Sequence, residues 1–123
     1  MQPNPSLRVT AGQLQQLLSH DTAFTKAYGF VVTTVEPGSC TLEVPHLPHF
    51  ERPGGIVAGQ VFMTAADVAM WLAIKTLRGL DDPSVTSHMQ THFLESARAE
   101  GFTCKAVVLS IRRRTAFGTA ECL

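Results

Sequence analysis

Asp67 is the one charge in residues 61–74, a run that is apolar on every face of a helical wheel. Burying a carboxylate in such a helix costs several kcal/mol unless partners or a raised pKa relieve it. Two roles fit the residue. It is either a structural carboxylate hydrogen-bonded to a neighbouring loop, or a group whose chemistry is the reason for its position. A second candidate is Arg112-Arg113-Arg114. Its guanidinium forks suit phosphate groups, and the alternative is a solvated hairpin tip. His46, His49, His88 and His92 form no metal spacing on one helix face. His88 and His92 can share one face of a strand, so these histidines read as ordinary polar or pocket-lining positions, and no metal site is expected.

The rest of the chain has to place these groups. Its 123 residues suffice for one core, so a single domain spanning 1–123 is expected. Ten basic and ten acidic residues cancel, which removes any electrostatic argument for nucleic acid or an anionic membrane surface. The apolar run around Asp67 is barely long enough to span a bilayer and begins in Pro53-Gly54-Gly55, so a membrane helix is not expected. Cys40, Cys104 and Cys122 are scattered, without CxxC or Cys/His spacing. They read as reduced, buried thiols of a cytoplasmic protein. The first residues lack the pattern of a signal peptide.

In chain order, residues 1–8 read as a loose tail. Thr10 and Gln13 form a capping box, with Val9 and Leu14 as its hydrophobic staple. The helix they open runs to about residue 19, with a further turn before Gly29, so 1–28 make an N-terminal tail and helix packed on the outside. Residues 30–36 and 40–44 flank Pro37-Gly38 and predict a hairpin. After the apolar helix, which ends near Arg78-Gly79, three more strands are expected at 84–94, 102–111 and 115–122. They are separated by the stretch beginning at Ala97 and by the arginine run. Strands on both sides of one enclosed helix argue for an α+β fold, an antiparallel sheet wrapped around a long buried helix.

This pattern resembles the hotdog fold. Within it, Ala58-Gly59-Gln60 followed by Asp67 is similar to the His-Gly-Gly…Asp motif of the phenylacetate-degradation (PaaI-type) acyl-CoA thioesterases, and Val85-Thr86 to Phe93-Leu94 is similar to their next strand. The resemblance covers roughly residues 29–122. It implies hydrolysis of a small, medium or aromatic acyl-CoA. The Gly59 amide would stabilise the oxyanion, Asp67 would act as general base or nucleophile, and Thr86 would orient the attacking water. No cofactor is implied, because coenzyme A enters as part of the substrate.

The sequence departs from that motif at Ala58, at Gln60, and at Arg52, where the family carries Asn or Gln. Arg52 cannot accept a hydrogen bond, but it can pair with Asp67 or with an anionic substrate group. Arg52 and Gln60 join Arg112, Arg113 and Arg114 as candidate substrate contacts, the arginine turn lying near the pocket mouth in this fold class. These departures keep open an alternative, a non-catalytic hotdog domain that binds an acyl or CoA ligand or serves as an oligomeric scaffold. The hydratase branch resembles Asp followed five residues on by His, and Leu72 occupies that place here. Family members carry one more strand after the one ending near Cys122, so the resemblance implies an apparently absent last strand, with its edge covered by the N-terminal segment or a neighbour, or else a truncated chain of reduced stability. A homodimer or dimer of dimers is implied. Gly59 and Asp67 are separated by about 12 Å along a regular helix, too far to act on one carbonyl, so one site would draw on two chains.

Overall fold

The computed structural model describes residues 7–95 and 100–123. The expected connection at Ala97 and most of the 1–8 tail lie outside them. The expected capping box and staple form, and the α-helix is shorter than expected. The Thr10 hydroxyl accepts from the Gln13 amide at 3.1 Å, and the Gln13 side chain accepts from the Thr10 amide at 2.9 Å. Val9 and Leu14 are both buried. Helix α1 (Ala11–Gln16) widens into a π-type turn over Leu17–Asp21, and a short α2 (Ala23–Lys26) follows. The Gln15 side chain donates to the Phe30 carbonyl at 3.0 Å and accepts from the Val32 amide at 2.7 Å.

Strands β1 (Val31–Glu36) and β2 (Ser39–Val44) form the expected hairpin, with Gly38 at φ 79° in the turn between them. A two-residue ladder of β3 (Glu51–Arg52) and β4 (Ile56–Val57), closed by Pro53-Gly54-Gly55, leads into α3 (Gly59–Arg78). Strands β5 (Phe102–Ile111) and β6 (Ala116–Cys122) complete an antiparallel sheet of order β1-β2-β5-β6. Alternate residues Cys40, Leu42 and Val44 of β2, with Cys104 and Ala106 of β5, bury one face of that sheet. Against it lie Ala65, Val68, Ala69, Leu72, Ala73 and Thr76 of α3.

Thr76 ties the helix to the hairpin. Its buried hydroxyl accepts from the Gly38 amide at 2.7 Å and donates to the Ala73 carbonyl, while the Gly38 carbonyl accepts from Val108 in β5. Thr76→Val keeps the shape and strands the Gly38 N–H. It is expected to cost about 1–3 kcal/mol, read as a lowered urea midpoint at unchanged m-value. A shift worth less than about 0.5 kcal/mol, the range of an ordinary surface substitution, would mean that the bond contributes nothing net.

Two expectations need correction. Asp67 is exposed rather than buried. Four strands cover only one side of α3, and the opposite side, with Met63, Thr64, Asp67, Trp71 and Ile74, is open or only partly covered. A helix apolar all round needs two covers, and a single chain supplies one. The second correction concerns residues 84–94, which are extended but join no sheet. They run back along the open side of α3, held by side-chain contacts at Asp67 and Gly59 instead of ladder bonds.

Candidate active site

Helix α3 begins at Gly59 for a local reason. Ala58 is extended (φ −62°, ψ 139°) and its methyl offers no capping oxygen, so no side chain satisfies the first amides of the helix. The Ala58 amide is spent on the Phe50 carbonyl at 2.8 Å, and Val61 bonds back to the Ala58 carbonyl at 3.0 Å. Among the described residues the Gly59 and Gln60 amides have no such partner, and they stand at the positive end of a 20-residue helix dipole. The glycine also admits a neighbour, because a Cβ at 59 would lie 3.2 Å from the Phe93 ring. Around this helix end Arg52, Ile56, Val57, Phe62, Phe93 and Leu94 line an open groove of about 400 Å³. It is apolar along most of its wall, with Arg52 and Glu95 as its charged members.

Two turns further along the helix, Asp67 meets the returning segment. The Thr86 hydroxyl donates to Asp67 Oδ1 at 2.5 Å. Asp67 Oδ2 has no hydrogen-bond partner among the described residues. The pair is therefore a carboxylate with one oxygen oriented by a hydroxyl and the other open to a water or substrate atom. Thr86, which the resemblance assigns to the attacking water, bonds Asp67 itself. Gly59 stays about 12 Å away in the same chain, eight residues at 1.5 Å each.

The remaining candidates fall in different places. Arg52 sits in the groove at the Gly59 end and makes no ion pair with Asp67, so that possible pairing is not formed among the described residues. Gln60 is exposed beside Gly59. Arg112, Arg113 and Arg114 form the exposed β5–β6 turn, which is fastened to the other end of α3 because the Arg78 guanidinium donates to the Arg112 and Thr115 carbonyls. Within one chain the turn and Gly59 thus mark opposite ends of a helix about 30 Å long. His46 pairs with Glu51 at 3.2 Å, and His49 lies 3.2 Å from the Ala27 carbonyl.

Sequence reasoning missed the residue that starts the returning segment. Lys75 is buried, and its ammonium donates to the carbonyls of Leu80 and Asp82 at 2.8 and 2.9 Å while lying over the Trp71 ring. Burial lowers its pKa, and the nearby Asp82 and Asp81 oppose that shift. The clamp turns the chain after Gly79 so that Thr86 can come back to Asp67. A lysine in the last turn of a helix just before a glycine is the signal that could have found it.

With this geometry in place, comparison with known proteins gives a consistent result. The family model described as the thioesterase superfamily matches residues 54–122, the stretch from the glycine turn through β6. A protein of Saccharolobus solfataricus, provisionally named an esterase, is 33% identical over 78 residues. That match covers 63% of this chain, and the chain spans 55% of the relative's length. The phenylacetic acid degradation protein PaaI of Thermus thermophilus, in a point-mutant form, superposes with a TM-score of 0.74 at 25% identity, covering 83% of this chain and 86% of the other. The E. coli PaaI protein superposes with a TM-score of 0.82 over 96% of this chain and 84% of its own, and at 20% identity it speaks for the fold alone.

Proposed function

Because the chain belongs to the thioesterase superfamily and has its hotdog fold, we propose that it hydrolyses acyl-CoA thioesters at a site shared between two copies. The observation that carries this reading is the Thr86–Asp67 pair, a carboxylate with one free oxygen, on the same helix as the uncapped Gly59 amide. In the proposed reaction the thioester carbonyl lies against the Gly59 amide of one chain, where the helix dipole favours the developing oxyanion. Asp67 of the second chain takes a proton from water, and the water oxygen adds to the carbonyl carbon. The C–S bond then breaks, the coenzyme A thiolate leaves, and the proton passes to it. Thr86 keeps Asp67 in one orientation throughout. Direct attack by Asp67, through a mixed anhydride that water then opens, uses the same geometry.

A second copy is required by distance. A base reaches its proton within about 3 Å or through one water, and the oxyanion donor must be equally close to the same carbonyl. One chain keeps these groups about 12 Å apart. Two helices running antiparallel across a twofold axis bring the Gly59 of each chain to the Asp67 of the other. The open side of α3, with Met63, Trp71 and Ile74, is the apolar surface such a partner would cover. In that arrangement the arginine turn of one chain is carried towards the groove of the other, where Arg112, Arg113 and Arg114 would meet the nucleotide phosphates. Arg52 in the groove and the exposed Gln60 beside Gly59 would contact the substrate, and no cofactor takes part.

The test is turnover of a panel of short, medium and aromatic acyl-CoA esters, each measured against the same acyl group on a pantetheine stub. Hydrolysis is expected, with a lower KM for the full CoA ester at similar kcat, because distant phosphate contacts bind ground and transition states alike. Equal KM values would return the arginine turn to a solvated tip. Binding without turnover across the panel would assign the domain to ligand capture, the role that Arg52 in the groove would then serve.

A further inference from the structure

The proposed hydrolysis leaves the three cysteines unused, and two of them are placed as a pair. Cys104 of β5 and Cys122 of β6 are direct cross-strand partners. Next to them Thr103 and Leu123 exchange both backbone hydrogen bonds, at 3.0 and 2.8 Å. Alternation along an antiparallel ladder therefore makes Cys104–Cys122 a non-hydrogen-bonded pair, the position where side chains approach most closely and the Cα atoms lie about 4.5 Å apart. That separation falls inside the range a disulfide accepts, near its short end. The two sulfurs are already 3.2 Å apart and share a hydrogen bond. Closing a bond of about 2.05 Å requires a movement of only about 1 Å.

The pair is also asymmetric. Cys104 is fully buried, whereas Cys122 is partly accessible, with its sulfur against the Phe62 carbonyl. The hydrogen bond shared with Cys104 favours the Cys122 thiolate and lowers its pKa. The same bond, with burial, pushes Cys104 up. Cys40 is different. Burial pushes its thiol up to about 12, and across the ladder it faces Ala106, not a second thiol.

We propose that Cys104 and Cys122 form a reversible dithiol–disulfide site closed by peroxide-class oxidants. The Cys122 sulfur attacks a peroxide oxygen, the O–O bond breaks, and Cys122 becomes a sulfenic acid as one hydroxide leaves and is protonated to water. The Cys104 sulfur then attacks the Cys122 sulfur, expelling hydroxide, which takes the Cys104 proton and leaves as a second water. Two thiols are oxidised by two electrons and one peroxide is reduced. The partial exposure of Cys122 keeps the bond open to attack by a small dithiol.

The experiment uses the intact protein treated with hydrogen peroxide. Thiols counted under denaturing conditions are expected to fall from three to one per chain, and dithiothreitol is expected to restore them. Peptide mapping should find residues 104 and 122 joined within one chain, at a mass lower by two hydrogens. Cys104→Ser should leave Cys122 carrying oxygen adducts with no bridge, and Cys40→Ser should bridge as the parent does. Oxygen adducts on Cys122 of the parent with Cys104 still free, or a bridge formed only between chains, would overturn the proposal. Mapping of the parent decides the matter even if a serine variant fails to fold.

Discussion

Asp67→Asn is expected to lower kcat by about 10²–10⁴-fold, the contribution of a positioned general base, with little change in stability. The substitution is close to isosteric. The Thr86 hydroxyl that donates to Asp67 Oδ1 can donate equally to an amide oxygen. The side chain is exposed, so no buried charge is relieved and no cavity opens. What is lost is the ability to take a proton from water, or to attack as a nucleophile. The measurement is kcat and KM on the best ester of the panel, beside a urea unfolding curve. Full activity in the variant would remove Asp67 from the mechanism, and lost activity together with lost stability would assign it a structural role.

Mixing Asp67→Asn protein with Gly59→Pro protein is expected to restore activity that neither has alone. Proline removes the one N–H assigned to the oxyanion, and the local backbone tolerates it. Position 59 is the first residue of α3, where proline is favoured, and Ala58 already has the extended conformation that precedes proline. The new Cβ presses on the half-exposed Phe93 ring, and Gly59→Ala, which has the same Cβ and keeps the amide, controls for that contact. Random exchange makes half of the dimers mixed, each with one intact site of two, so about a quarter of the parental activity per chain should return. No recovery in verified mixed dimers would show that Gly59 or Asp67 has been given the wrong task.

The two substitutions also divide what the sequence could reveal from what it could not. Local patterns were legible: Thr10 and Gln13 close their box, Pro37-Gly38 turns the hairpin, and β5 and β6 lie within a residue of their expected bounds. Each of these is decided by neighbours a few residues away. The spacing of Gly59 and Asp67 was equally legible, since it needs only helix geometry. The exposure of Asp67 was not. An apolar wheel says that residues 61–74 want covering on all sides, but it does not say whether the same chain provides the cover. Residues 84–94 have strand composition, yet pairing is a property of the neighbour as much as of the strand. Cys104 and Cys122 were scattered thiols in sequence and became a pair only through the register of β5 on β6. Lys75 and Arg78 lie in the last turn of the helix, and their carbonyl partners lie in loops with no pattern to read.

Gln15 has a consequence for the edge of the sheet. By bonding the Phe30 carbonyl and the Val32 amide, it occupies pairing groups at the outer rim of β1, the rim that an incoming strand would otherwise use as a template. The sheet ends on its other side at β6. A strand approaching β1 therefore finds those two groups already taken, and the amide that steadies the first helix also guards this edge of the sheet against unwanted pairing.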